Sequence, residues 1–192
     1  MKRLIHTIIF VLSLLFSLQA ASQKEDVATL HETARSFMRQ GDFENATLVL
    51  NKALAIKPDD LDLLKDQAFV AYLKRDFAAA IENGKKITAR EDADIQSFQI
   101  LGLAYKAIAD YKESDKMYKA ALKKFPSSGV LYSEYGDLLA SNNNEALAIK
   151  QWEKGIETDA NYSGNYYYAA KYYGQKGNII WGLLYGEIFV NI

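Results

Sequence analysis

Cysteine is missing from this chain altogether, and only two prolines occur among its 192 residues. Without cysteine there is no disulfide, no thiolate zinc site, no cysteine nucleophile and no lipidated N-terminal cysteine. Histidine is almost missing: His6 lies in an apolar N-terminal run, which leaves His31. It has no second His or Cys to complete a metal site, and no nucleophile with an orienting carboxylate is readable around it. An excess of either charge is also lacking. Lys and Arg number 23 against 24 Asp and Glu, so there is no basic footprint for nucleic acid. The chain contains no G-x-S-x-G elbow and no G-x-x-x-x-G-K phosphate loop. Its acidic clusters "PDDLD" (Pro58–Asp62) and "REDAD" (Arg90–Asp94) have no central glycine and distal glutamate, as a calcium loop requires. They read as helix caps instead. These absences predict a protein with no catalytic residues, no metal and no cofactor.

What is present is ordinary for a folded domain: 49% hydrophobic and 24% charged residues. The first 22 residues stand apart. Lys2 and Arg3 precede an apolar run, Leu4 to Leu18, and small residues follow at Ala20, Ala21 and Ser22. That order is a secretory signal peptide, and the run is shorter than the ~20 residues that span a bilayer. The expectation is export to the periplasm or cell envelope with residues 1–22 removed. The alternative is an uncleaved signal anchor, the one case in which a membrane is involved. Residues 23–26 then serve as a lead-in.

Internal periodicity decides the rest. Asp42, Asp76, Asp110, Asn144 and Asn178 follow one another at intervals of 34 residues. Asp and Asn cap helix N-termini, because their side-chain oxygen accepts from an amide left free in the first turn. Five helices are therefore expected to begin just after these positions. Small residues recur at the same interval, at Ala34, Ala68, Gly102, Gly136 and Ala170, and again at Ala46, Ala80, Ser114, Ala148 and Gly182. They let paired helices approach closely. Large residues fill complementary slots, among them Phe37, Tyr105, Leu139 and Tyr173, then Leu50, Tyr118 and Trp152, with Gly84 and Gly186 standing where the second and fifth repeats should carry a large residue. Pro58 and Pro126 fall where the second helix of a pair has to stop.

The pattern resembles the tetratricopeptide repeat (TPR), a helix–turn–helix unit with a W-x2-L-G-x2-Y, then A-x3-F, then P signature. Phe98, Leu101, Gly102, Tyr105, Ser114, Tyr118 and Pro126 match it best. The resemblance implies an all-α fold, an α-solenoid of about five repeats stacked in a right-handed superhelix. The repeats would span 27–60, 61–94, 95–128, 129–162 and 163–192. Each has a first helix (A) and a second (B), with the A helices lining a concave groove.

The resemblance also implies a function: a non-catalytic scaffold or adaptor that holds a segment of another protein in that groove. By position, the groove would present His31, Arg35, Arg39, Lys65, Phe69, Tyr72, Gln99, Leu103, Lys106, Tyr167 and Lys171. Some family members clamp acidic chain termini with a Lys-x-x-x-Asn pair in the first A helix. His31 and Arg35 stand there instead, so that mode is not expected. The tyrosine-rich stretch "NYSGNYYYAAKYY" (Asn161–Tyr173) adds groove candidates, with packing on neighbouring helices as the competing explanation.

The last stretch, "NIIWGLLYGEIFVNI" (Asn178–Ile192), falls in register as the B helix of repeat five, with Gly182 and Gly186 as close-contact positions. A terminal repeat normally shows a polar outer face, and this one does not. The expectation is an apolar helix lacking its cover, and self-association through residues 179–192. A different function would make the repeats a structural or oligomerisation arm of a longer protein whose active domain lies beyond residue 192.

Overall fold

The computed structural model describes residues 26–192, so the expected signal segment and all but Asp26 of the lead-in lie outside the described residues. Among the described residues, all regular secondary structure is helical. The A helices are α1 (Val27–Gln40), α3 (Leu61–Leu73), α5 (Ile95–Ala107), α7 (Gly129–Ser141) and α9 (Ser163–Gln175). The B helices are α2 (Phe43–Ile56), α4 (Phe77–Thr88), α6 (Tyr111–Lys124), α8 (Glu145–Thr158) and α10 (Ile179–Asn191).

One device makes every A-to-B turn. The residue before the cap adopts a left-handed conformation, at Gly41, Arg75, Ala109, Asn143 and Gly177. This lets the amide of the following Asp or Asn reach back to a carbonyl of the finished helix. Asp42 donates to the Phe37 carbonyl at 2.9 Å, Asp76 to Ala71 at 2.9 Å, Asp110 to Tyr105 at 3.0 Å, Asn144 to Leu139 at 2.8 Å and Asn178 to Tyr173 at 2.9 Å. That bond satisfies a carbonyl orphaned at the helix end. The side chain of the same residue then starts the next helix, accepting from Asn45 N, Ala79 N, Glu113 N and Trp181 N in four of the five turns. Asn144 departs from expectation, since its side chain makes no capping bond. Its backbone bond to Leu139 still holds the turn. The acidic clusters cap as expected: Asp60 accepts from Asp62 N and Leu63 N, while Asp94 and Ser97 form a reciprocal capping box.

The described chain divides after Pro58 into two compact units. In the first, α1 lies against α2 and buries Leu30, Ala34, Ala46, Leu50 and Ala53. In the second, residues 59–192, consecutive A helices touch: α3 meets α5, α5 meets α7, and α7 meets α9. No two B helices of this unit come into contact. The A helices therefore line its inner, crowded side and the B helices its outer side.

Small residues make these approaches feasible. A Cβ on Gly102 would lie 2.4 Å from Met117 Cε, and one on Gly136 2.2 Å from Trp152 Nε1. Gly84, where a large side chain is expected, is instead covered by the next A helix, with Leu101 3.1 Å from where its Cβ would stand. Gly182 packs against the backbone of Gly174, whereas Gly186 meets nothing nearer than Ala170 Cβ at 4.0 Å. Only the first of those two glycines is a close-contact position.

Candidate functional site

The inner face of the second unit begins on α3. Lys65 is buried there, its Nζ held 2.6 Å from Asp94, the cap of the next A helix, and 2.8 Å from Asp62. Burial disfavours its charge, but hydrogen bonds to Asp62 and Asp94 outweigh that and raise its pKa. Lys65 thus ties two repeats together. One and two turns along, Phe69 and Tyr72 stack with ring centroids 6.1 Å apart and remain half-buried.

On α5 and α7 the face turns polar. Gln99 Nε2 donates to Glu134 Oε1 at 2.6 Å, and Tyr118 OH, from α6, donates to Glu134 Oε2 at 3.4 Å. Burial raises the pKa of Glu134, and the neighbouring Asp137 adds to this; the two hydrogen bonds and Lys106 only partly offset it. Lys106 itself pairs with Asp137. Leu103 lies between these pairs in sequence, half-buried.

On α9 the face turns aromatic. Tyr168 stacks on Trp152 with centroids 5.1 Å apart and planes 10° from parallel. Trp152 is held from below by its Nε1–H, which donates to the Ser133 carbonyl at 3.1 Å. Beside this stack is a cavity of about 150 Å³ lined by Asp137, Glu145, Trp152, Tyr168, Lys171 and Tyr172, among others. Glu145 is engaged by Lys176 at 2.6 Å. Tyr167 is exposed but leans on Phe189 of α10, ring centroids 5.5 Å apart. Tyr173 donates to Glu153 at 2.7 Å, and that bond with partial burial lifts its pKa to about 12.

The remaining expected positions belong to the first unit. On α1, Arg39 pairs with Glu32 at 2.8 Å in an exposed bridge, while His31 and Arg35 are half-buried. The structure thus ties Gln99 and Lys106 to α7, sets Lys171 at the cavity beside Tyr168, stacks Phe69 on Tyr72 and leaves Leu103 half-buried on α5, with Lys65 buried. Sequence reasoning missed Glu134 and Trp152 as parts of this face, and named Tyr168 only within the tyrosine-rich stretch. Glu134 and Tyr168 occupy one register position, equivalent to Ile100. A glutamate in that slot was the available signal. Among the described residues no group of His, Asp or Glu is arranged to hold a metal ion.

Comparison with known proteins bears on the fold and the family. A tetratricopeptide repeat family model matches residues 31–94 and 101–166. Human tetratricopeptide repeat protein 21B is 31% identical over 136 residues, which is 70% of this chain and 10% of that protein. The chain therefore spans about a tenth of the length of that relative. Among solved structures, a thermophilic TPR protein from Thermus thermophilus superposes with a TM-score of 0.68 at 18% identity, covering 83% of this chain and 88% of that one. A tetratricopeptide repeat protein from Parabacteroides merdae gives a TM-score of 0.71 at 16% identity, over 92% and 69% of the two chains. Proteins of this kind are generally non-catalytic scaffolds that bind other proteins or peptides. A 34-residue helical repeat, a shared turn device and a matching family model together place this chain in the tetratricopeptide repeat family, as an α-solenoid.

Proposed function

We propose that the inner face of α3, α5, α7 and α9 holds an extended segment of a partner protein and catalyses nothing. The observation that carries this reading is the order of chemistry along the face. A stacked Phe69–Tyr72 pair comes first, then the hydrogen-bonding pairs Gln99–Glu134 and Lys106–Asp137, then the aromatic cavity at Trp152 and Tyr168. Aromatic rings give contact area at low entropic cost, and the polar pairs can re-bond to a peptide backbone or side chain. An extended chain projects side chains alternately, so it can engage pockets and polar groups in succession. A small metabolite would use one pocket only.

The cellular setting proposed is the cell envelope. Its support is the basic, apolar, small order of residues 2–22. Mass spectrometry of the protein from its own cells tests this: a new N-terminus near residue 23 is expected, and an intact Met1 on a soluble protein contradicts it. The groove is tested by placing a photo-crosslinking amino acid at Leu103, Tyr168 or Lys171 and, as outer-face controls, at Lys112 or Lys150. Adducts with one partner from the inner positions alone are expected. Equal adducts from both faces overturn the assignment.

A further inference from the structure

α10 leaves uncovered what every earlier B helix of its unit buries. Ile87 of α4 clusters with Ile100 of α5, and Gly155 of α8 lies beneath Asn165 of α9. The matching residue of α10 is Phe189, which is partly exposed. Ile149 of α8 is 7% exposed, whereas its counterpart Leu183 is 68% exposed; Val190, the counterpart of half-buried Ile156, is 74% exposed. The face made by Leu183 and Val190, with the exposed part of Phe189, is thus a repeat-stacking face that no following helix covers among the described residues; only Tyr167 of α9 reaches Phe189.

The apolar surface extends further than stacking requires. Ile180 is 79% exposed and Leu184 43% exposed. At those two register positions α6 carries Lys112 and Lys116 and α8 carries Ala146 and Lys150, all in solvent. One further A helix in stacking register would leave Ile180 and Leu184 wet. A helix apolar on most of its circumference is a buried helix, and α10 is too short to cross a membrane.

We propose that the occupant is a second copy of this chain, with α10 packed against α10 about a two-fold axis. Such a contact is self-complementary by construction, and it can cover the stacking face and the Ile180–Leu184 side together. The area is of the right order: Ile179, Ile180, Leu183, Leu184 and Val190, which share that side of the helix, expose roughly 650 Å² at ~200 Å² per free side chain, before any polar rim is added. A standard interface takes ~800 Å² from each partner. Head-to-tail stacking on α1 of another copy is disfavoured. Thr29, Glu32 and Thr33 are exposed there, where α9 carries Asn165, Tyr168 and Ala169, so that mode would bury two hydroxyls and a carboxylate. The proposal does not rest on the groove reading.

The test is sedimentation equilibrium of the full chain at micromolar concentration. A species of twice the 21.6 kDa chain mass is expected. Leu183→Glu with Val190→Glu should weaken association roughly tenfold or more, with helix content by circular dichroism unchanged. Because the chain has no cysteine, Leu184→Cys should give an oxidised covalent dimer and the outer-face control Lys116→Cys should not. Phe69→Ala with Tyr72→Ala, which addresses the groove, should leave the dimer intact. A monomeric full chain overturns the proposal, as does a dimer indifferent to the Leu183 and Val190 changes. So does a protein that, taken from its own cells, is heavier than this chain and monomeric with α10 protected from hydrogen exchange, because the cover is then the chain itself.

Discussion

Glu134 is a carboxyl whose protonation is coupled to the fold. Burial raises its pKa above the ordinary 4.5, and no cation bonds it directly. In the unfolded chain it ionises at the ordinary value, while the folded chain holds its proton to higher pH. Folding then takes up a proton between the two values, so this group's contribution to stability falls as pH rises through that window and is constant above it. Asp94 and Asp115, whose pKa values are lowered, act oppositely, and their stabilisation is lost as pH falls through their folded values. Glu134→Gln isolates the first effect: the variant should match wild type in acid and become the more stable as pH rises through the window. Thermal melts across pH read this; parallel curves at all pH values contradict it. Gly136 is the steric counterpart. Alanine there puts a Cβ 2.2 Å from Trp152 Nε1, which is fixed by its bond to Ser133. Gly136→Ala should cost about 1–3 kcal/mol in urea unfolding.

At the scale of the helix and its turn, the repeat makes a finer set of expectations. The left-handed turn residue is glycine in the first and fifth repeats but Arg75, Ala109 and Asn143 in the others. A non-glycine residue costs about 1–2 kcal/mol in that conformation, and glycine's greater freedom when unfolded offsets part of the gain. Ala109→Gly should therefore stabilise by up to about 1 kcal/mol. The caps divide likewise. Asp76→Ala removes a real side-chain bond, 3.1 Å to Ala79 N, and should cost about 1 kcal/mol. Asn144→Ala removes none and should cost clearly less; equal losses would show that the Asn144 side chain does cap.

These turns also show how far the sequence could be read. The 34-residue recurrence of Asp and Asn located every B helix, because one residue type serves both the turn's backbone bond and the next helix's first turn. The same regularity misled at Asn144, where the backbone bond alone keeps the register. Gly84 shows a different blind spot. The pattern marked it as a missing large residue, whereas the space is filled by Leu101 from the following repeat. Glu134 escaped for a related reason: which side of an A helix faces a neighbour and which faces the open inner side depends on how helices pack, and residue spacing along one helix does not specify it.

For the whole molecule, the account is a scaffold with two working surfaces, an inner face of A helices for a partner segment and the apolar α10. In stacked repeats each unit contacts mainly its neighbours, so changes on the inner face should alter binding without unravelling distant repeats. Phe69→Ala with Tyr72→Ala should leave hydrogen-exchange protection of α7, α8 and α9 unchanged, and a loss of protection there would contradict the local character of the face. The most direct test of the central claim is calorimetric titration of a synthetic peptide matching the partner segment crosslinked from Leu103 or Lys171. The account predicts that Phe69→Ala with Tyr72→Ala, and separately Tyr168→Ala, weakens that peptide by roughly tenfold or more, while Lys112→Ala with Lys150→Ala on the outer face leaves its affinity unchanged. Equal affinity for wild type and both inner-face variants would contradict it.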